Sequence, residues 1–310
     1  MRFWIPALVV VLVAVGVALS PVNEYFFYAA YIVLTFVVLA TAWNILGGYA
    51  GYVNFGTAAF FGIGSYTATV LFKWLGAPLV VQIAAAAAVA GLLGFGVGML
   101  TLRLRGIFFA IATVAVIFIM ETLMINWRYV GGATGLQLLR PEVIAPFESY
   151  TRMLFAVMVA MAVGAVALAR WVQSSWIGRG LRALRDSEEA AECAGVPTLK
   201  LKLFACTLSG ALMGAAGAPM PMYLSFIEPA SSFNLTWSVN ALAASMIGGT
   251  IHWLGPVIGA VILGTLQQVV TVTISSEVNV LVVGVLLVLF VVAAPEGVLG
   301  LFQRWIRFFR

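Results

Sequence analysis

The chain has 310 residues, 63% hydrophobic and 9% charged, with a formal charge of +5 at pH 7 and a mean hydropathy of +1.10. Soluble domains carry about 25% charged residues, so a water-soluble globule is excluded and the bilayer is the natural solvent. The basic residues sit in short segments between apolar runs, a pattern that orients membrane proteins rather than one that binds nucleic acid. Two cysteines, Cys193 and Cys206, are too few for a disulfide framework, and the single His252 excludes a multi-histidine metal site.

Ten apolar segments follow one another. The first, residues 4–19, follows Arg2. It has the look of a signal peptide, but Pro21 follows Ser20 where cleavage would fall, which favours a retained span. Residues 25–46 form the second and end at Gly47-Gly48. The third, residues 53–72, mixes aromatics with Gly56, Ala58, Ala59, Gly62, Gly64 and Ser65. Small residues let helix backbones approach closely in lipid; they also suit a broken helix beside a substrate path. The fourth, residues 80–102, is alanine-rich and precedes Arg103 and Arg105. The fifth, residues 106–126, carries Glu121. A carboxylate at mid-bilayer costs roughly 2.5–3.5 kcal/mol on insertion scales, so Glu121 is expected near the interface or facing a pathway.

After a polar loop with Gly131 and Gly132, the sixth span covers residues 152–172. The seventh is 201–224, the eighth a short 237–249, the ninth 256–272 and the tenth 278–294, followed by a basic tail with Arg304, Arg307 and Arg310. Placing the polar segment after the sixth span in the cytoplasm puts Arg2, Arg103, Arg105, Arg170, Arg179, Arg182, Arg185, Lys200, Lys202 and the tail arginines inside. Only Lys73, Arg128, Arg140 and Arg152 fall outside. The positive-inside rule is satisfied. The expected fold is all-α: a polytopic membrane protein of about ten transmembrane helices, N-in and C-in, with residues 1–310 as a single permease domain. A faint repeat links Asn44-Ile45-Leu46-Gly47-Gly48 with Ser245-Met246-Ile247-Gly248-Gly249. Both double glycines close a span, which suggests two equivalent elements around one pathway; chance remains the competing explanation.

Residues 178–197, GRGLRALRDSEEAAECAGVP, are the one long polar island. The sequence predicts two short helices. Asp186 is expected to cap the second, with Glu189 at the third helical position. Gly195 closes it in the left-handed conformation, and Pro197 prevents continuation. Such a structured loop either lies on the headgroups or docks a cytoplasmic partner.

Glu189-Ala190-Ala191 followed three residues later by Gly195 resembles the EAA-x-x-x-G motif of ABC importer permeases. SWIGRGLRALRDSEEAAECAGV, NFGTAAFFGIGSYTA, LRLRGIFFAIATVA, NWRYVGGATGL and GGTIHWLGPVIGA resemble, in order, the LivM-type permeases of branched-chain amino acid importers. The likeness covers most of residues 44–260. It implies a coupling loop at 173–200, with Arg185, Glu189, Ala190, Ala191 and Gly195 facing ATPases on separate chains, where ATP would bind; this chain would hold no cofactor. It also implies a second, LivH-like permease subunit, two cytoplasmic ATPase subunits, a periplasmic substrate-binding protein, and a place in the bacterial inner membrane among its lipids. Gly56, Thr57, Gly62 and Gly259 are the pathway candidates, with alanine expected to be tolerated at both Gly62 and Gly259 and leucine at neither. Thr57 and Val130 depart from the family's usual His and Thr. That leaves urea and short-amide permeases of the same branch open.

The chain has no G-x-x-x-x-G-K-[ST] phosphate loop and offers no nucleophile and base pair for an enzyme. The energy must come from another polypeptide or from an ion gradient. An ion-coupled secondary transporter would need buried ionisable groups, and Glu121 is the sole acidic candidate within a span; a passive channel would have no use for a capped cytoplasmic helix. The orientation makes a prediction. In a cysteine-free background, Ser187→Cys and Thr134→Cys are expected to react with an impermeant maleimide from opposite sides of the membrane. Equal labelling of both from outside whole cells would contradict the topology.

Overall fold

All ten apolar segments wind into helices. In hydrocarbon no water can satisfy backbone N–H and C=O groups, so each segment must satisfy its own. The structure is a computed structural model that describes residues 4–18, 20, 23–104, 106–139, 147–273, 278–293 and 297–300. Arg2, Arg105, Arg140 and the tail arginines Arg304, Arg307 and Arg310 lie outside the described residues. In chain order the helices are α1 (Trp4–Ala18), α2 (Glu24–Leu46), α3 (Thr57–Leu75), α4 (Leu79–Thr101), α5 (Ile107–Asn126), α6 (Tyr150–Ser174), α7 (Trp176–Asp186), α8 (Glu188–Cys193), α9 (Thr198–Gly217), α10 (Met220–Leu224), α11 (Pro229–Ser232), α12 (Leu235–Gly248), α13 (Leu254–Thr273) and α14 (Val278–Ala293). Among the described residues six stretches are long and apolar enough to cross a membrane: α2, α4, α5, α6, α9 with its continuation to Leu224, and α13. The protein is therefore a multi-pass helical membrane protein. α1, α12 and α14 are shorter, and α3 is diluted by its glycines and hydroxyls.

One boundary differs from expectation by four residues. The third span starts at Thr57, four residues later than predicted, because residues 51–55 adopt no regular structure. Their backbone is held by side chains instead: Trp43 Nε1 donates to Asn54 O at 2.7 Å, and Phe55 N donates to Thr113 Oγ1 at 3.1 Å. The seventh span reaches Leu224 as expected, with a break at Ala218 and Pro219 that divides it into α9 and α10.

Helix α2 lies at the centre, packed against α6, α9, α12 and α13. Ser245 Oγ of α12 donates to Ala40 O of α2 at 2.9 Å. Helix α9 is clasped between α3 and α4. Small residues make this possible. A Cβ on Gly64 would run into Gly214 O, and one on Gly217 into Phe61 O. Across the other face, a Cβ on Gly94 would lie 2.9 Å from Cys206 O, and Cys206 Sγ donates to Gly94 O at 3.2 Å. Without a hydrophobic drive between helices in lipid, close van der Waals contact of this kind is what holds spans together. The same device joins α12 to α13 through Gly248, Gly255 and Gly259.

At the other end from the polar island, strand β1 (Leu136–Gln137) pairs antiparallel with β2 (Phe226–Ile227), Leu136 opposite Ile227. Nearby, Tyr223 stacks on Tyr28 and Tyr31 with ring centroids 4.7 and 4.1 Å apart. Two ion pairs fix the first turn of α6 to α2 and to the loop before it: Arg152 meets Glu24 at 2.8 Å and Glu148 at 2.6 Å.

The expectation that alanine is tolerated at Gly62 and Gly259 does not survive the packing. A Cβ on Gly259 would strike Ala244 O, a backbone atom that cannot step aside; one on Gly62 would lie 2.5 Å from the Phe233 ring. Overpacking of this sort costs about 1–3 kcal/mol. Gly259→Ala is thus expected to lower the thermal unfolding midpoint and membrane abundance, while Gly96→Ala and Gly164→Ala, which meet nothing within 4 Å, are expected to match the wild type or exceed it slightly. Equal midpoints for all three would contradict the close α12–α13 contact.

Candidate functional site: the polar loop and its anchor

The chain leaves α6 at Ser175, whose backbone is extended and whose Oγ accepts from Gly178 N at 3.4 Å, capping α7. Helix α7 is amphipathic. It buries Gly178, Leu181 and Leu184 at a spacing of three residues and keeps its arginines toward water. Gly178 and Gly180 both lie inside α7. They permit close approach: a Cβ on Gly178 would meet Val172 O, and one on Gly180 would lie 2.5 Å from Leu201.

The expected cap of the next helix is corrected by one residue. Asp186 ends α7, and Ser187 caps α8: its backbone is extended, and its Oγ accepts from Ala190 N at 3.3 Å. Glu188 and Glu189 thus occupy the first two helical positions, at the positive end of the helix dipole. The other end closes as predicted. Gly195 has φ +80°, Gly195 N donates to Glu192 O and Val196 N to Ala191 O, both at 2.9 Å. These two bonds make a Schellman motif, which satisfies carbonyls the helix would otherwise leave open.

The five residues singled out for coupling divide. Glu189 and Ala190 are exposed, with Glu192, Cys193 and Ala194 beside them; Ala191 is only 4% exposed and faces inward. Ala191 packs the loop onto the body and is not available to a partner. Arg185 reaches back from α7, its Nη1 donating to Gly48 O at 2.8 Å. It thereby ties the loop to the double glycine that closes α2.

The strongest tie was not anticipated. Lys202, in the second turn of α9, has a side chain only 4% exposed, and its Nζ lies 2.7 Å from Glu188 Oε1. Tyr52 donates its hydroxyl to Glu188 Oε2 at 2.7 Å, and Lys202 Nζ donates to the same hydroxyl at 3.1 Å and to Leu102 O at 3.4 Å. The ammonium also lies 5.0 Å from the Tyr52 ring centroid, and Phe109 of α5 meets that ring edge-on at 5.2 Å. Four parts of the fold thus converge here: α8, α9, the α2–α3 connector and the end of α4. Thr198 Oγ1 adds a second α8–α9 link, to Glu192 Oε1 at 2.8 Å. Sequence reasoning placed Lys202 among the cytoplasmic-side cations and gave it no partner. A lysine between Leu201 and Leu203 in an apolar run was the available signal. Beside the cluster a groove of about 430 Å³ opens between the connector and α7–α8, lined by Gly51, Tyr52, Gly106, Ile107, Arg185 and Glu188.

The pathway candidates fall in three places. Gly56 and Thr57 sit together at the start of α3. Gly56 N donates to Asn54 Oδ1 at 2.7 Å, Ala58 N donates to Ser238 Oγ at 2.9 Å, and the buried Thr57 hydroxyl meets no protein partner. Gly62 lies against Phe233 and Gly259 against α12, so those two do not line a common space. Glu121 is partly exposed on α5, near its end. On the connector between α12 and α13, Trp253 N donates to Gln173 Oε1 at 3.0 Å, and burial together with the Arg170 charge holds the His252 pKa below its usual value. Among the described residues no three His, Cys, Asp or Glu side chains converge as a metal site would require.

Bundled apolar helices with one capped polar loop, locked to the spans by a buried ion pair, define a multi-pass membrane protein of the transporter class. The chain belongs to the family of branched-chain amino acid transport system permease components, whose model matches residues 25–291, and is a permease. It is 27% identical over 293 residues to the high-affinity branched-chain amino acid transport system permease protein LivM of Salmonella typhimurium, covering 86% of this chain and 68% of that protein. It is 26% identical over 297 residues to LivM of Escherichia coli, covering 87% and 69%. A probable branched-chain amino acid transport permease protein LivH of Methanocaldococcus jannaschii is 32% identical over 130 residues, 40% of each chain. No solved structure matches the chain.

Proposed function

We propose that this permease is one half of the transmembrane pathway of an ABC importer for branched-chain amino acids, namely leucine, isoleucine and valine. A related LivH-like permease completes the pathway. Two cytoplasmic ATPase subunits bind the ATP and drive the cycle, and a periplasmic binding protein delivers the substrate. The chain crosses the bacterial inner membrane ten times with both termini inside, acts as one permease domain, catalyses no reaction and carries no cofactor of its own.

The observation that carries this reading is the α7–α8 unit. It is too polar to cross lipid, capped at both ends, and anchored to the spans from its inner side, while Glu189, Ala190 and Cys193 stay exposed. A loop that merely covered headgroups would need neither the caps nor a desolvated ion pair. A loop that takes a push from a soluble partner needs both, because force is transmitted only through an element that keeps its shape. On this reading ATP-driven closure of the ATPases displaces α8, and the spans re-pack between outward-open and inward-open arrangements.

Two substitutions test the docking role. Ala190→Arg puts bulk on the exposed face. Gly195→Val has space around it but forces a branched side chain to φ +80°, at a cost of about 1–2 kcal/mol. Both proteins are expected to reach the membrane at wild-type levels, to co-purify poorly with the ATPases, and to lose uptake of radiolabelled leucine. Normal ATPase recovery with normal uptake would show that the loop is a solvated surface. Wild-type uptake that is competed by urea or acetamide but not by isoleucine would reassign the substrate.

A further inference from the structure

We propose that the buried cluster of Lys202, Glu188 and Tyr52 is the positioning device through which movement of the docking helix α8 reaches the start of α3, where Gly56 and Thr57 lie. The inference rests on the docking role of α8 given above and adds the route from it into the membrane.

Helix α8 has six residues and cannot form a large apolar contact of its own. Its one buried side chain is the methyl of Ala191, and a methyl packed on a surface resists separation more than sliding. Charge-assisted hydrogen bonds are short and directional, so they fix both distance and angle. Glu188 makes two, one from each carboxylate oxygen, at 2.7 Å to Lys202 and 2.7 Å to Tyr52. The carboxylate at the start of α8 is thus held on two sides, by α9 and by the α2–α3 connector.

From Tyr52 the path runs through the connector that Trp43 and Thr113 hold by hydrogen bonds. Two residues on, Asn54 accepts from Trp43 Nε1 through its carbonyl and from Gly56 N through Oδ1, at 2.7 Å each. Asn54 is 1% exposed and Trp43 2%. Any displacement of Tyr52 therefore moves Asn54, and with it the N-terminus of α3, relative to α2. Lys202 has a distinct part. Its contact with Leu102 O references the carboxylate to the end of α4, and its ammonium, 2.7 Å from Glu188 Oε1, holds that side chain inward. The groove beside Tyr52 and Glu188 leaves the connector room to move without first unpacking the core.

The test uses the wild-type permease in complex with its partner permease and ATPases in nanodiscs. Backbone hydrogen exchange is followed with and without ATP, in α8 and in residues 49–60 separately. In the wild type both segments are expected to change their exchange on adding ATP. In Tyr52→Phe, which removes a single hydroxyl, the α8 response is expected to persist, while the response of residues 49–60 falls at least threefold; leucine moved per ATP hydrolysed should fall with it. Lys202→Met should do the same, and Lys202→Arg should retain most of the wild-type response. If Lys202→Met does not fold, Tyr52→Phe alone decides. An undiminished ATP response at residues 49–60 in Tyr52→Phe, or a wild type with a response in α8 but none at 49–60, overturns the route through the cluster and leaves the docking role intact. A wild type that recruits no ATPase at all overturns the docking role itself, and the route with it.

Discussion

An ammonium group buried at the edge of a bilayer protein must be paired, because an isolated buried charge costs many kcal/mol. Lys202 meets that condition by drawing Glu188, the first residue of α8, to 2.7 Å. The Tyr52 hydroxyl and Leu102 carbonyl supply further hydrogen bonds. The loop that carries the family's motif cannot leave the body of the protein without stranding one member of this set. Removing one partner of such a pair costs about 3–5 kcal/mol, whereas replacing both by apolar groups is often tolerated. The ion pair is therefore better understood as fixing where α8 sits than as adding stability for its own sake.

The membrane-embedded part follows a different physical rule. Its helices gain nothing from hiding oil in oil, so they rely on approach close enough for backbone contact. The glycines of α3, α4, α9, α12 and α13 face one another's backbones. The consequence is a body with little slack in the α3–α4–α9 and α12–α13 contacts. Helices α4 and α5 contrast with it: only 28% of their most apolar stretch is buried, and residues such as Val80, Leu92, Leu100, Ile107 and Ile111 face outward. A rigid clasped unit with a capped loop beneath it is an arrangement in which displacement at one place must reappear at another.

Helices were readable in the sequence because long apolar runs bounded by Gly, Pro and charge leave lipid-embedded backbone one option. Span ends were found to within two or three residues wherever a glycine pair or proline punctuated them, as at Gly47-Gly48. They were missed where side chains rather than propensity decide the ending. The start of α3 is the clearest case: Trp43, Asn54 and Thr113 hold an irregular stretch that reads as apolar helix. Within the loop, Gly195 was legible because a glycine at the end of a short helix, two residues before Pro197, suits a left-handed C-terminal cap. The cap was misassigned because Asp186 and Ser187 are both good capping residues, and only the packing of Leu184 decides how far α7 runs. The anchor was illegible for a different reason. Lys202, Glu188 and Tyr52 are far apart along the chain, and nothing local marks a tyrosine in a connector as the partner of a carboxylate 136 residues later. Ala190 and Ala191 look equivalent in sequence, and only the fold turns one outward and the other in.

A double-mutant cycle on Lys202 and Glu188 tests the central claim most directly. Lys202→Met, Glu188→Gln and the double variant are compared with the wild type by SDS-driven unfolding in mixed micelles. The account predicts that each single variant is destabilised, and that the double variant recovers part of the loss, with a coupling of about 1 kcal/mol or more. Additivity within about 0.5 kcal/mol would mean that the two side chains do not depend on each other, and that the polar loop is held to the membrane body by something else.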